Sequence, residues 1–149
     1  MLKFVVPAAV LPIAMLGLYS TQALADNTCA SGNRMSVAQI EELVGGKYVC
    51  LRTSNGGIFA NEQHRGGPSS PSGELWDYKM GPADRSDPTA RVGSYLISER
   101  GNNGAQILYN YGSGTRIYQI VHDSGPYYLF CGVGGEPDVR MKVQTTPGC

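Results

Sequence analysis

The chain has 149 residues, with 12 Lys and Arg against 12 Asp and Glu and no formal net charge at neutral pH. Beyond Lys3 its basic residues are scattered singly from Arg34 to Lys142, so no field gathers a polyanion and nucleic-acid binding is not expected. A composition of 20 Gly, 9 Pro and 9 Tyr favours short strands joined by tight turns and argues against a helical bundle.

Residues 1–25 read as a secretory signal. Lys3 supplies the positive start, Phe4 to Leu18 the apolar stretch, and Ala23-Leu24-Ala25 the small-x-small pattern for cleavage before Asp26. The apolar stretch is about fifteen residues and carries Pro7 and Pro12, whereas a spanning helix needs roughly twenty. No membrane span is therefore expected after signal removal. Cys29 follows Thr28, without the small residue that a lipid-anchoring signal places before its cysteine. The expected product is a secreted or periplasmic chain, 26–149, folded as one domain about a single core.

Cys29, Cys50, Cys131 and Cys149 all follow the signal, and in an oxidising compartment an even count implies two disulfides. Sequence alone does not select among the three pairings. The favoured scheme is Cys29–Cys50 with Cys131–Cys149, two local loops worth roughly 3 kcal/mol each in the chain-entropy model. The rival joins Cys50 to Cys131 and Cys29 to Cys149. No C-x-x-C spacing is present, which argues against a cysteine zinc site.

An irregular lead-in runs to residue 35. Ser36 and Gln39 then form a capping box, and Val37, Ile40, Leu43 and Val44 make one apolar stripe before Gly45 and Gly46; the pattern predicts a short helix that plugs or flanks a sheet. Lys47–Thr53 is the first predicted strand. Residues 54–73 read as a long loop with a short strand over 58–63 and a mobile tip at Pro68–Ser72. A second clear strand is predicted over Glu74–Met80. Five more are predicted over 91–100, 105–111, 115–123, 127–133 and 138–145, separated by G-N-N-G, G-S-G, S-G-P and G-G-E-P, which is hairpin chemistry. The expected fold is mainly β: an antiparallel meander of six to eight strands curled into a small up-and-down barrel or half-barrel.

In the last strand Val139, Met141 and Val143 oppose Arg140, Lys142 and Gln144, so the apolar face points inward. The strands carrying Tyr109, Tyr118 and Tyr127 hold large residues on both faces. Either a second layer covers the outside or aromatic groups line a ligand space within.

Glu62 and His64, two apart, point the same way on an extended segment. With His122 they are the candidates for a metal or acid–base site, though the expected state is metal-free and without cofactor. Trp76, the sole tryptophan, is expected to anchor the core; the functional alternative sets it at a barrel mouth beside Tyr78, stacking on a flat ligand. Asp77 and Lys79 read as a solvated charge pair. No G-x-S-x-G occurs, and the acids Glu62, Glu74, Asp77 and Glu99 offer too many carboxylate pairs to single one out. Gly132-Val133-Gly134-Gly135 is a turn, since no helix follows it.

The segments E-Q-H-R-G-G, G-E-L-W-D-Y-K-M-G-P, D-P-T-A-R-V-G-S-Y, Y-N-Y-G and Y-Y-L-F-C resemble a set of small secreted bacterial proteins, a resemblance that implies no activity. In layout the chain is similar to lipocalin-like, avidin-like and periplasmic lysozyme-inhibitor barrels. The resulting expectation is a non-catalytic binding module for a small ligand, or for an extracytoplasmic protein or glycan. Glu62, His64, Trp76, Tyr78, Tyr109 and Tyr111, with the 54–73 loop, are its candidate binding residues. The alternatives are an enzyme or metal protein using Glu62, His64 and His122, and a structural subunit of a surface assembly.

Overall fold

The computed structural model describes residues 29–30, 33–52, 58–77 and 90–146. The expected signal segment, Tyr78, Lys79 and Cys149 lie outside the described residues. Helix α1 spans Val37–Val44. The Ser36 hydroxyl accepts the Gln39 backbone N–H while the Gln39 side chain accepts that of Ser36, closing the predicted capping box. At the other end the Gly45 N–H returns to the Glu41 carbonyl, and Gly46 turns the chain at φ +71°, a backbone state that glycine enters without steric cost.

Eight strands follow: β1 (Tyr48–Arg52), β2 (Ile58–Arg65), β3 (Ser72–Asp77), β4 (Ala90–Glu99), β5 (Ala105–Asn110), β6 (Thr115–Ser124), β7 (Tyr127–Gly132) and β8 (Val139–Gln144). Each pairs antiparallel with the next, and β8 returns to β1 through Tyr48↔Gln144 and Leu51↔Met141, closing the barrel. Closure removes the free strand edges that an open sheet would have to protect. Of the expected 54–73 loop, 54–57 lie outside the described residues, while β2 runs on to Arg65, beyond the short strand expected over 58–63, and β3 starts at Ser72. In the connection between them the Pro71 carbonyl accepts the Ile97 N–H.

Ile40, Leu43 and Val44 of α1 join Leu75, Ile97, Ala105, Ile107, Ile120 and Phe130 in one core. The helix closes the end of the barrel where β2 and β4 finish and β3 and β5 begin. Packing there is tight enough to dictate glycine: a Cβ on Gly73 would lie 2.2 Å from the Arg65 carbonyl oxygen and 2.6 Å from the Tyr95 ring. Tyr95 is thereby pressed into the interior.

Both faces of β6 are covered. Tyr118 and Ile120 point into the core, while Gln119 and Val121 are buried on the outer face. The lead-in makes the outer layer: Arg34 bridges Val121, the Met35 N–H reaches the Ile120 carbonyl, and the Ala105 N–H reaches the Met35 carbonyl.

The expected disulfide pattern is corrected by this layer. Cys29 is bonded to Cys131, so neither favoured pair forms; this is the one disulfide with both cysteines among the described residues, and Cys50 is also disulfide-bonded. No described cysteine is free. The physical reason is the path of the lead-in. Cys131 sits opposite Gln119 on the outer face of β7, where the strap across β6 delivers Cys29, whereas Cys50 lies on β1, two strands away around the barrel. Loop length carried no information about that path.

Candidate functional site

Among the described residues, the end of the barrel opposite α1 is hollow. A cavity of about 620 Å³ enters it, walled by Val49 and Leu51 of β1, Val139 and Met141 of β8, Tyr109 of β5, Tyr111 just after that strand, and Tyr118 of β6. Among the described residues, Glu62, Arg116 and Glu136 are the charged ones on its lining. A barrel of eight strands has an interior just wide enough either to fill with side chains or to hold one small ligand; here α1 fills one half and the described residues of the other half surround the cavity.

Period two sets the side chains. Glu62 and His64 both point inward from β2, opposite Asp77 and Leu75 of β3. The Tyr111 hydroxyl donates to Glu62 Oε2 at 2.9 Å. Burial pushes the Glu62 carboxyl above its usual value; the Tyr111 hydrogen bond opposes that push and the neighbouring Asp77 charge adds to it. Burial likewise drives Tyr111 and Tyr109 upward. Tyr109 and Tyr111 lie nearly parallel, centroids 6.2 Å apart, and Tyr109 meets Tyr118 edge-on at 6.1 Å. At the rim Arg116 pairs with Glu136 at 3.1 Å.

His64 lies deeper, fully buried, with Nε2 3.1 Å from the Tyr109 hydroxyl and its ring 5.1 Å from that of Tyr95. Burial holds its pKa down at about 4, so it is neutral across the physiological range. It supports Tyr109 from behind and does not line the cavity.

Of the sequence candidates, the structure brings Glu62, Tyr109 and Tyr111 together on the cavity wall and sets His64 beneath them. Trp76 is on the outer face, half-buried, with the Arg65 guanidinium 4.0 Å from its ring centroid and its Nε1 donating to Glu74 Oε2 at 3.0 Å. Tyr78 lies outside the described residues. Asp77 faces Glu62 across the β2–β3 ladder; the expected pair with Lys79 lies outside the described residues. Glu74 points outward to Arg91. His122 is exposed on β6, its ring edge-on to Tyr128, and is not brought to Glu62 or His64. Among the described residues no group of three or more His, Cys, Asp or Glu is placed to hold a metal ion.

Sequence reasoning missed Arg116, Glu136, Met141 and the β1 residues Val49 and Leu51 as cavity residues. The signal for Arg116 was present: it shares the period-two face of Tyr118. That face could not be recognised as the inner one while both faces of β6 carried large side chains.

No helix among the described residues is long and apolar enough to cross a membrane. No family model, curated protein or solved structure matches the chain.

Proposed function

We propose that the chain is a non-catalytic binding module, working outside the cytoplasm, that holds a small ligand in the open half of its barrel. The observation that carries this reading is the cavity itself. At about 620 Å³ it falls within the roughly 300–1,000 Å³ range of ligand sites, and it combines apolar and aromatic walls with a few polar groups aimed inward. Apolar side chains facing an unfilled space gain neither core packing nor full hydration, so an occupant of matching shape stabilises them. Val139 and Met141 are in that position, sharing the inward face of β8 with buried Val143 yet staying only partly covered.

An acid–base role finds less support. Glu62 and His64 face the same interior, but the His64 imidazole is sealed beneath Tyr109 and has no path to a substrate in the cavity. Assembly by edge pairing loses its physical basis in a closed barrel.

Thermal-shift and native mass spectrometry of the oxidised protein, with small-molecule extract of the compartment in which it accumulates, test the proposal. A ligand present at about 100 times its Kd stabilises the fold by about 2.7 kcal/mol, a rise of several degrees in Tm. Retention of a small molecule together with such a rise is expected. A protein that retains nothing and whose melting no compound raises would overturn the reading.

A further inference from the structure

We infer that the cavity selects a cationic ligand, an organic ammonium carrying an aryl or alkyl group, with the ammonium placed at Glu62 and the apolar part among the tyrosines, Leu51 and Met141. The inference rests on the binding-module reading and adds the chemical class of the ligand.

Among the described residues, charge pairing inside the cavity is incomplete. Arg116 is the cation on the described lining, and it is engaged with Glu136 at 3.1 Å. Glu62 receives a hydrogen bond from Tyr111 but pairs with no cationic side chain among the described residues, and Asp77, directly opposite it, adds a second negative group. A carboxylate removed from water requires a partner charge or a proton. An ammonium entering the cavity supplies that charge and meets three tyrosine rings, whose faces favour cations, more so when the site is desolvated. An anionic ligand would meet Glu62 and Glu136 and find Arg116 already occupied.

The same arrangement makes binding depend on pH. Among the described residues, the groups facing Glu62 are Asp77 from β3, Tyr109 from β5, Tyr111 just after it, Arg116 and Tyr118 from β6, and Glu136 ahead of β8. The tyrosines are pushed upward by burial and keep their protons. Glu62, also displaced upward, must lose its proton for the ammonium to be held, so affinity rises with pH until the carboxylate is fully formed.

The test compares three isosteric probes, phenethylammonium, 2-phenylethanol and phenylacetate, titrated into the isotopically labelled, oxidised protein and followed by NMR shifts of Tyr109, Tyr111, Tyr118 and Met141. Phenethylammonium should bind at least about tenfold more tightly than the alcohol, with phenylacetate weakest. Its affinity should fall by about tenfold per pH unit below the Glu62 pKa. Glu62→Gln should abolish the preference for the cation over the alcohol, and Asp77→Asn should keep that preference while lowering the midpoint of the pH dependence, because the Asp77 charge raises the Glu62 pKa. Where Glu62→Gln fails to fold, the pH dependence of the wild-type protein carries the test. Equal or tighter binding of the alcohol or the acid would overturn the cationic assignment and leave the binding-module reading standing. Failure of all three probes would also overturn the assignment, while the extract experiment judges the broader reading independently.

Discussion

Tyr111 and Glu62, 49 residues apart in sequence, meet inside the barrel through a 2.9 Å hydrogen bond from phenol to carboxylate. The bond favours the charged carboxyl and so works against burial, which pushes Glu62 upward. Tyr111→Phe should therefore move the Glu62 pKa further up, by a visible fraction of a unit in a carboxyl-carbon NMR titration. An unchanged midpoint would mean that the pair does not meet in solution.

Glu62 also burdens the fold. Its native pKa lies above the ordinary carboxyl value of the unfolded chain, so between those values the native state holds the proton more tightly. Stability then declines as pH rises through that window, and the loss persists above it. Glu62→Gln, which keeps an acceptor for Tyr111, should melt at or above wild type near neutrality. The advantage should disappear below the usual carboxylate range, as a series of melting curves against pH would reveal.

His64 has the opposite sign. Its native pKa of about 4 lies below the ordinary imidazole value of 6.5, so the unfolded chain takes up the proton first and stability is lost as pH falls from about 6.5 to about 4. Complete above that window, the contribution lost is on the order of 3 kcal/mol. Urea denaturation near neutrality and near pH 4 should show the drop for wild type and a much smaller one for His64→Asn.

The Cys29–Cys131 bond closes a loop spanning 102 residues. In the chain-entropy model a loop of that size is worth about 4.7 kcal/mol. The double variant Cys29→Ala, Cys131→Ala should lose most of that in guanidinium unfolding, with amide exchange rising first along residues 33–35 and the outer face of β6. Non-reducing peptide mapping should recover the two cysteines in one linked fragment.

Gly73→Ala should cost about 1–3 kcal/mol through overpacking, because its Cβ would press on backbone at Arg65 and on the Tyr95 ring. Gly67→Ala, where nothing lies within 4 Å of the added atom, serves as the neutral comparison. Equal chemical denaturation midpoints for the two variants would contradict the close approach at Gly73.

The features legible in the sequence are those whose signals are local. Ser36, Gln39 and the stripe through Ile40 and Val44 announce α1 within a dozen residues, and the Gly- and Asn-rich separators mark the hairpins because each turn's chemistry is self-contained. That Glu62 and His64 share one face followed from period two alone. Orientation that depends on distant chain was not readable. Trp76 was expected to anchor the core, but a register shift in the β3–β4 pairing falls between Leu75 and Trp76, and it is Leu75 that is fully buried. The partner of Cys29 depends on the route of the lead-in over β6, which no spacing encodes. The cavity depends on where α1 stops short inside the barrel.

The strap that crosses β6 and ends at Cys29 also makes the covalent clasp a certificate of completeness. Its second sulfur arrives only with β7, 102 positions downstream, so no nascent fragment ending before that strand can fasten it. Oxidation at this site is therefore a late event in maturation, and a thiol still reactive at Cys29 marks a molecule whose wall has not finished assembling.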